Sequence, residues 1–105
     1  MVYSQSKQFS TNQVKLKNEG KELLNELDKR CNISDDVQKT QLKLIYSEIS
    51  SMVSSVENPQ SIKKIIASYP QLIVDTWDFS DELGIRLLHF KDSYNKFMKK
   101  VFNGN

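Results

Sequence analysis

The sequence predicts an all-α fold, an antiparallel up-down four-helix bundle whose third helix is kinked or broken near Pro70. Four segments carry their apolar residues at the period of an α-helix, so each would present one apolar face. The 105 residues include only three glycines and two prolines, which leaves few interruptions between long helices. The length suits one domain, and amphipathic helices with short connections are typical of such a bundle.

The first helix is expected over about residues 11–31, with Ser10 or Thr11 as its N-cap. Gly20 lies inside the apolar stripe, where it weakens the helix but permits a neighbour to approach closely. Cys31 is the only cysteine, and its place on the stripe indicates a small core residue rather than a reactive thiol. The stripe consists of Leu16, Gly20, Leu23, Leu24, Leu27 and Cys31.

The second helix is expected over about residues 34–56, with Ser34 as the N-cap and acids in the first turn. Val37 and Leu44 lie together away from the apolar stripe. They either cover the edge of a neighbouring helix or form a small exposed patch, and both alternatives stay open. The stripe consists of Leu42, Ile45, Ile49, Met52, Val53 and Val56.

The third helix is expected over about residues 59–77, with Asn58 as a cap and Pro59 at the first helical position. Pro70 removes one helical hydrogen bond and disfavours helical dihedrals at Tyr69. The apolar stripe nevertheless keeps its phase across the proline. We therefore predict one kinked helix, with two shorter helices as the alternative. The stripe consists of Ile62, Ile65, Ile66, Tyr69, Ile73, Thr76 and Trp77.

The stretch "DTWDFSDEL" at residues 75–83 indicates the corner before a fourth helix, expected over about residues 80–102. Ser80 is the predicted N-cap, followed by two acids in the first turn. Phe79 is predicted to fold onto Leu83 as a hydrophobic staple. Trp77 shares the phase of the third helix's stripe, so it is expected to point toward the core.

The fourth helix is expected to turn one apolar stripe to the core and to leave Ile85 and His89 on the solvent side. Its C-terminal half is rich in lysine, which suits the negative end of the helix dipole. The stripe consists of Leu83, Leu87, Phe90, Tyr94, Phe97, Met98 and Val101. The lysines are Lys91, Lys96, Lys99 and Lys100.

Charge and hydropathy exclude several classes of protein. The net charge of +2, from 15 basic and 13 acidic residues, is weaker than a nucleic-acid binder usually shows, so no nucleic-acid partner is expected. No apolar run approaches the roughly 20 residues that cross a bilayer. The opening residues lack the hydrophobic region of a signal peptide, so a cytoplasmic protein is expected.

The sequence predicts neither catalytic nor metal-binding chemistry. The single histidine, His89, and Cys31 fall on separate helices without the spacing of zinc ligands. The acids of the corner are explained by helix capping, and no glycine-rich phosphate loop is present. We therefore expect no enzyme, no cofactor, no metal and no small-molecule substrate.

The second half of the chain resembles a known family over the segment "NPQSIKKIIASYPQLIVDTWDFSDELGIRLLHFKDSYNKF". Its layout is similar to that of the immunity proteins of pediocin-like bacteriocins. There a long third helix ends in a corner with a bulky residue, then Phe followed by Ser or Thr, and acids open the fourth helix. Residues 77–82 occupy that corner, with Asp78 where a basic residue is common, and "GKELLNEL" resembles the family's first helix.

The resemblance implies a non-enzymatic cytoplasmic bundle that protects a bacteriocin producer by peripheral action at the membrane. The implied partner is the membrane part of the mannose phosphotransferase system with its bound bacteriocin. The C-terminal half of such proteins generally sets which bacteriocin is countered. The candidate partner-binding residues are Lys96, Lys99, Lys100, Phe102, Ile85 and His89.

Two alternatives belong to other classes. A small regulatory or adaptor bundle could bind a protein helix or a nucleic acid through the Val37 and Leu44 positions or the lysine pairs. A secreted helical hairpin would carry a Trp-x-Gly turn, whereas Trp77 is followed here by Asp78 and Phe79.

Overall fold

A computed structural model describes the backbone of residues 2–58 and 67–102, and the side chains of residues 11–58 and 67–100. Four helices occupy the described backbone: α1 (Val2–Asn32), α2 (Asp36–Glu57), α3 (Tyr69–Thr76) and α4 (Glu82–Phe102). No β-strand occurs within these ranges. The predicted all-α four-helix fold is confirmed.

Helix α1 begins at Val2, well before the predicted start, so neither Ser10 nor Thr11 caps it. Its predicted stripe faces the core. Leu23 is buried, and Cys31 is half-buried against the core cluster.

Gly20 is the point at which α1 meets two other helices. A methyl group there would overlap with Val53 of α2 and lie 3.1 Å from Phe90 Cζ of α4. The predicted close approach of a neighbour at this glycine is therefore confirmed.

Helix α2 begins at Asp36, two residues after the predicted start, and its cap lies one residue later than predicted. Its N-cap is Asp35, whose carboxylate accepts the Gln38 N–H at 2.8 Å. Ser34 is not the cap, because its hydroxyl donates to a carbonyl of α1 instead. At the other end, Asn58 is the C-cap of α2, and its predicted role at the start of the next helix involves residues outside the described ranges.

The predicted apolar stripe of α2 is buried throughout. Val37 and Leu44, which lie away from that stripe, are both exposed. Their exposure agrees with the second alternative for this pair, a small exposed patch.

Helix α3 begins at Tyr69, so the prediction of one kinked helix through Pro70 is wrong. Ala67 and Ser68 are not helical, and Pro70 lies in the first turn, where its missing N–H removes no helical bond. The predictions that lie outside the described residues are those for Pro59, Ile62, Ile65, Ile66 and the side chain of Val101.

The start of α3 is capped from another helix. Ser68 makes no side-chain cap, and the carboxylate of Glu48 on α2 accepts the N–H groups of Ser68 and Tyr69 at 2.9 and 2.8 Å. An acid satisfies unpaired donors at a helix start and suits the helix dipole. Glu48 thus joins α3 to the middle of α2.

The helices run alternately up and down around one core. Gln13, early in α1, donates to the Val56 carbonyl at the end of α2 at 2.8 Å. Arg30, late in α1, binds Asp81 just before α4. Helix α1 is therefore antiparallel to α2 and to α4. The buried side chains of α4 include Leu83, Leu87, Phe90, Tyr94, Phe97 and Met98, as predicted.

Buried hydroxyl groups pin the helices to one another. Tyr69, at the start of α3, donates its phenolic O–H to the Leu87 carbonyl of α4 at 2.7 Å. Tyr94 donates to Ser55 Oγ of α2 at 2.9 Å. Burial, with a smaller effect of the Glu48 charge, raises the pKa of Tyr69 above its ordinary value, so its proton remains available for this bond.

Candidate functional site

Five of the six predicted partner-binding residues of α4 share one solvent-facing side of that helix. At 100° per residue, Ile85, His89, Lys96, Lys99 and Lys100 fall within an arc of about 100°, opposite the buried stripe. All five side chains are exposed. We call these five residues the α4 face.

The α4 face is a long strip and not a pocket. It extends from Ile85 to Lys100, which is about four helical turns. Ile85 and His89 lie in its first half, and the three lysines lie in its last turns. Phe102 belongs to the same helix, but its side chain lies outside the described residues. The strip suits contact with an extended surface more than capture of a small molecule.

The lysines of the α4 face are well solvated. Lys96 lies 3.3 Å from Asp92 one turn earlier, and both side chains are highly exposed. Such an exposed pair contributes only a few tenths of a kcal/mol to stability. Lys99 and Lys100 lie in the last turn, beside the negative end of the helix dipole. These charges therefore remain accessible to an acidic partner.

A second cluster, which sequence reasoning missed, lies at the α3–α4 corner. Arg30 of α1 binds Asp81 with two hydrogen bonds, from Nη1 to Oδ2 at 2.7 Å and from Nη2 to Oδ1 at 3.1 Å. The Arg30 hydrogen bond holds the pKa of Asp81 below its usual value, against a partial desolvation effect. Nothing in the local sequence marks Arg30, because its partner lies about fifty residues away.

Trp77 packs on the same cluster. The Arg30 guanidinium lies 5.3 Å from the centre of the Trp77 ring. That separation is within the range of a cation–π contact. Helix α4 approaches the ring through Gly84, where an added methyl group would lie 3.2 Å from Trp77 Cε3. Trp77 is partly buried against the core, in agreement with the predicted inward orientation.

The tip of the corner is built differently from the prediction. Asp78 Oδ1 accepts the backbone N–H and the hydroxyl of Ser80, at 2.9 and 2.7 Å. These bonds, the backbone bond first, hold the pKa of Asp78 below its usual value. Ser80 is therefore not the helix cap; Asp81 accepts the Leu83 N–H at 3.0 Å in that role. Phe79 is almost fully exposed, so the predicted staple onto Leu83 is wrong.

Three acids of the corner are engaged in structural hydrogen bonds. Asp75 accepts from the Gln71 side-chain amide at 3.0 Å, Asp78 accepts from Ser80, and Asp81 is bound to Arg30. Within the described ranges, no group of three or more His, Cys, Asp or Glu side chains is placed to hold a metal ion.

Comparison of the chain with protein-family models, with curated proteins and with solved structures gives no match. Among the helices that the structure describes, none is both long and apolar enough to cross a membrane.

Proposed function

We propose that this chain is a non-enzymatic immunity protein that protects a cell from pediocin-like bacteriocins. It would act in the cytoplasm, at the inner surface of the membrane, on the mannose phosphotransferase receptor with its bound bacteriocin. The proposal needs a helical bundle that presents an accessible recognition surface, and it needs no bound cofactor or metal.

The observation that carries the proposal is the α3–α4 corner. Trp77 ends α3 and packs inward, the acids Asp81 and Glu82 stand at the start of α4, and Phe79 lies between them at the tip. This order of a bulky residue, Phe-Ser and acids at the same corner supports the family resemblance. The Arg30–Asp81 pair fastens the corner to α1, which gives α4 a fixed direction.

The α4 face is the proposed recognition surface. Lys96, Lys99 and Lys100 would attract an acidic partner over a distance, since exposed charges raise the rate of encounter more than the affinity. Ile85 would add apolar contact at the other end of the strip, beside His89. The face is about four helical turns long, which is comparable to one side of a helix in a receptor loop or domain.

A protection assay tests the proposal. The gene is expressed in a sensitive strain, which is then challenged with a panel of pediocin-like peptides, and survival is compared with that of an empty-vector strain. We expect protection against at least one peptide of the panel. Unchanged killing by every peptide, with the protein present at normal levels, contradicts the proposal.

A matched pair of triple variants locates the recognition surface. One variant changes the three lysines of the α4 face together to Gln, and the other changes the exposed residues Lys21, Lys29 and Lys43. Both variants lose three charges, and each set includes one exposed lysine paired with an acid on its own helix. Protection should fall only in the first variant. An equal loss in both would indicate an effect of net charge and not of the α4 face.

A second function, that of an adaptor bundle, is supported by the exposure of Val37 and Leu44 on α2. Exposed apolar side chains are available for contact with another protein. If the adaptor binds nucleic acid, the protein should be retained on a heparin column, and its retention should decrease as salt is raised. Protein that passes through the column at low salt would contradict nucleic-acid binding.

A further inference from the structure

The most exposed apolar side chains of the described chain are concentrated in two short stretches. Phe79 is 93% exposed, Ile33 87%, Val37 71% and Val74 68%, whereas every other large exposed apolar side chain is 50% or less. Single exposed apolar residues are ordinary on a protein surface. Here four such residues are clustered in residues 33–37 and 74–79, and the fold does not require this clustering.

Both stretches lie at the same end of the bundle. Ile33 follows the last turn of α1, and its N–H donates to the Arg30 carbonyl. The Arg30 side chain binds Asp81, which follows Phe79 by two residues. The ion pair thus brings the α1–α2 turn beside the α3–α4 corner. We call this region, residues 33–37 and 74–82, the turn end.

The turn end holds Phe79 outward on a fixed backbone. The Asp78–Ser80 hydrogen bonds close the turn around Phe79 on one side, and the Arg30–Asp81 pair fixes the other. A side chain on a loop of defined shape loses less freedom when a partner covers it. Phe79 therefore has the properties of an aromatic anchor residue.

The charge around these apolar residues is negative. Residues 28–40 and 74–86 contain seven acidic and four basic side chains, although the whole chain has 13 acidic and 15 basic residues. Asp36 and Glu82 are exposed in the first turns of α2 and α4. The bundle is therefore polarised, with acids and apolar side chains at the turn end and the lysines of the α4 face toward the opposite end.

We infer that the turn end is a docking surface for a cationic amphipathic helix of another protein. The apolar side of such a helix would cover Phe79, Ile33, Val37 and Val74, and its lysines or arginines would meet the surrounding acids. A second copy of this chain would bring two acidic ends together. An anionic membrane surface would be repelled by the same acids. The inference does not depend on the proposed immunity function.

Binding of two synthetic peptides to the purified protein tests this inference. One is an amphipathic helix of leucine and lysine, and the other is identical except that glutamate replaces lysine. Fluorescence anisotropy of the labelled peptides gives the affinity. We expect only the lysine peptide to bind, and we expect its affinity to fall as NaCl is raised, because salt screens exposed charges. Failure of the lysine peptide to bind, or equal binding of both peptides, overturns the inference.

A matched pair of variants tests the apolar part of the surface. Phe79→Ser should weaken binding of the lysine peptide by about tenfold, as loss of an aromatic anchor does. Val14→Ser, at an exposed apolar residue near the opposite end, should leave the binding unchanged. Circular dichroism verifies that each variant is folded. Equal effects of the two substitutions overturn the inference.

A second pair of variants tests the acidic part of the surface. The double variant Asp36→Asn/Glu82→Gln should bind the lysine peptide several-fold more weakly than Glu22→Gln/Glu57→Gln, which removes the same number of charges elsewhere. Equal binding by these two double variants would show that only the net charge matters, and it overturns the inference.

Two further measurements test the other possible occupants of the turn end, a lipid surface and a second copy of this chain. Phosphatidylglycerol vesicles that bind wild-type protein but not Phe79→Ser would identify a lipid surface and overturn the inference. Sedimentation that detects a dimer which Phe79→Ser abolishes would identify a second copy and also overturn it. Wild-type protein that stays monomeric and off the vesicles, while binding the lysine peptide, supports the docking of a cationic helix.

Discussion

The substitution Gly20→Ala examines how tightly the core of the bundle is packed. Gly20 lies on α1 where α2 and α4 both meet it. A methyl group at this position would lie 3.1 Å from Phe90 Cζ and 3.2 Å from Cε1, and it would overlap with Val53 Cγ2. Helix propensity alone favours the alanine, whereas packing opposes it. The sign of the change in unfolding free energy therefore shows which effect is larger.

Packing should prevail, by about 1 kcal/mol, because an extra methyl in a filled core costs about 1–3 kcal/mol. The opposing gain of alanine over glycine inside a helix is about 1 kcal/mol. Val53 is β-branched and has essentially one favoured rotamer in a helix, so it cannot turn aside easily. Phe90 is buried and offers little room for retreat. For a domain of this size, about 1 kcal/mol lowers the melting temperature by about 4–8 °C.

Urea unfolding followed by circular dichroism measures this change, with Gly84→Ala as the reference. The methyl added at Gly84 would lie 3.2 Å from Trp77 Cε3 and 3.4 Å from Ile73 Cγ2, without overlap. Trp77 is only partly buried and can shift. At Gly84 a small steric cost opposes the same propensity gain of about 1 kcal/mol, so the reference should be between neutral and about 1 kcal/mol more stable than wild type. If Gly20→Ala were instead stabilising by the full propensity difference, the packing argument would be refuted.

A double-mutant cycle separates overlap from other causes. Val53→Ala alone should destabilise the protein by about 2 kcal/mol through the cavity it leaves. In the Gly20→Ala/Val53→Ala protein the new methyl group occupies part of that space. The double variant should therefore be more stable than the sum of the single effects by about 1 kcal/mol. Simple additivity would mean that the methyl group added at position 20 does not meet Val53.

Two further predictions concern contacts between distant residues. Asparagine caps a helix as well as aspartate does, so Asp81→Asn isolates the ion pair with Arg30. Since the arginine side chain is 37% exposed, unfolding should become easier by about 0.5–1 kcal/mol at neutral pH. Folding lowers the pKa of Asp81. The difference in unfolding free energy between wild type and Asp81→Asn should therefore be constant above the unfolded pKa of about 4 and vanish as the pH falls through the folded pKa. Urea titrations at several pH values measure this difference, and its persistence in strong acid would contradict the ion-pair account. Glu48→Gln removes the charge that caps α3. This substitution should lower the stability of α3 by about 1 kcal/mol and so speed amide hydrogen exchange across Tyr69–Thr76. Exchange in α1 serves as the internal control.

The helical periodicity of the sequence was sufficient to predict most of the core. Ile49 and Met52 of α2, and Leu87 and Phe90 of α4, are buried as their spacing requires. The same reasoning failed at Pro70, because a stripe that stays in phase across a proline does not show that the backbone continues. The tyrosine before that proline is buried whether the helix passes through it or begins there.

The contacts that fix the starts of α3 and α4 depend on residues far apart in the chain. Arg30 and Glu48 each bind a helix start that lies twenty to fifty residues later, at Asp81 and at Ser68 and Tyr69. Sequence pattern identifies charged residues on an exposed face but gives no information on which partner they meet. The α4 face was predictable because it requires only one helix, whereas the turn end requires the bundle to bring two turns together.

The misplaced serine caps of α2 and α4 have a common physical cause. At both turns a serine precedes an aspartate, Ser34–Asp35 and Ser80–Asp81, and the aspartate is the cap each time. Each serine hydroxyl donates to an acceptor upstream, at 2.6 and 2.7 Å, and so is turned toward the preceding element. A carboxylate only accepts, and the positive end of the helix dipole favours its charge. Where the two residue types stand side by side, the hydroxyl can therefore close the preceding turn while the carboxylate opens the helix. In this chain that division of roles places the caps of α2 and α4 one residue later than predicted. It also leaves Phe79 in solvent.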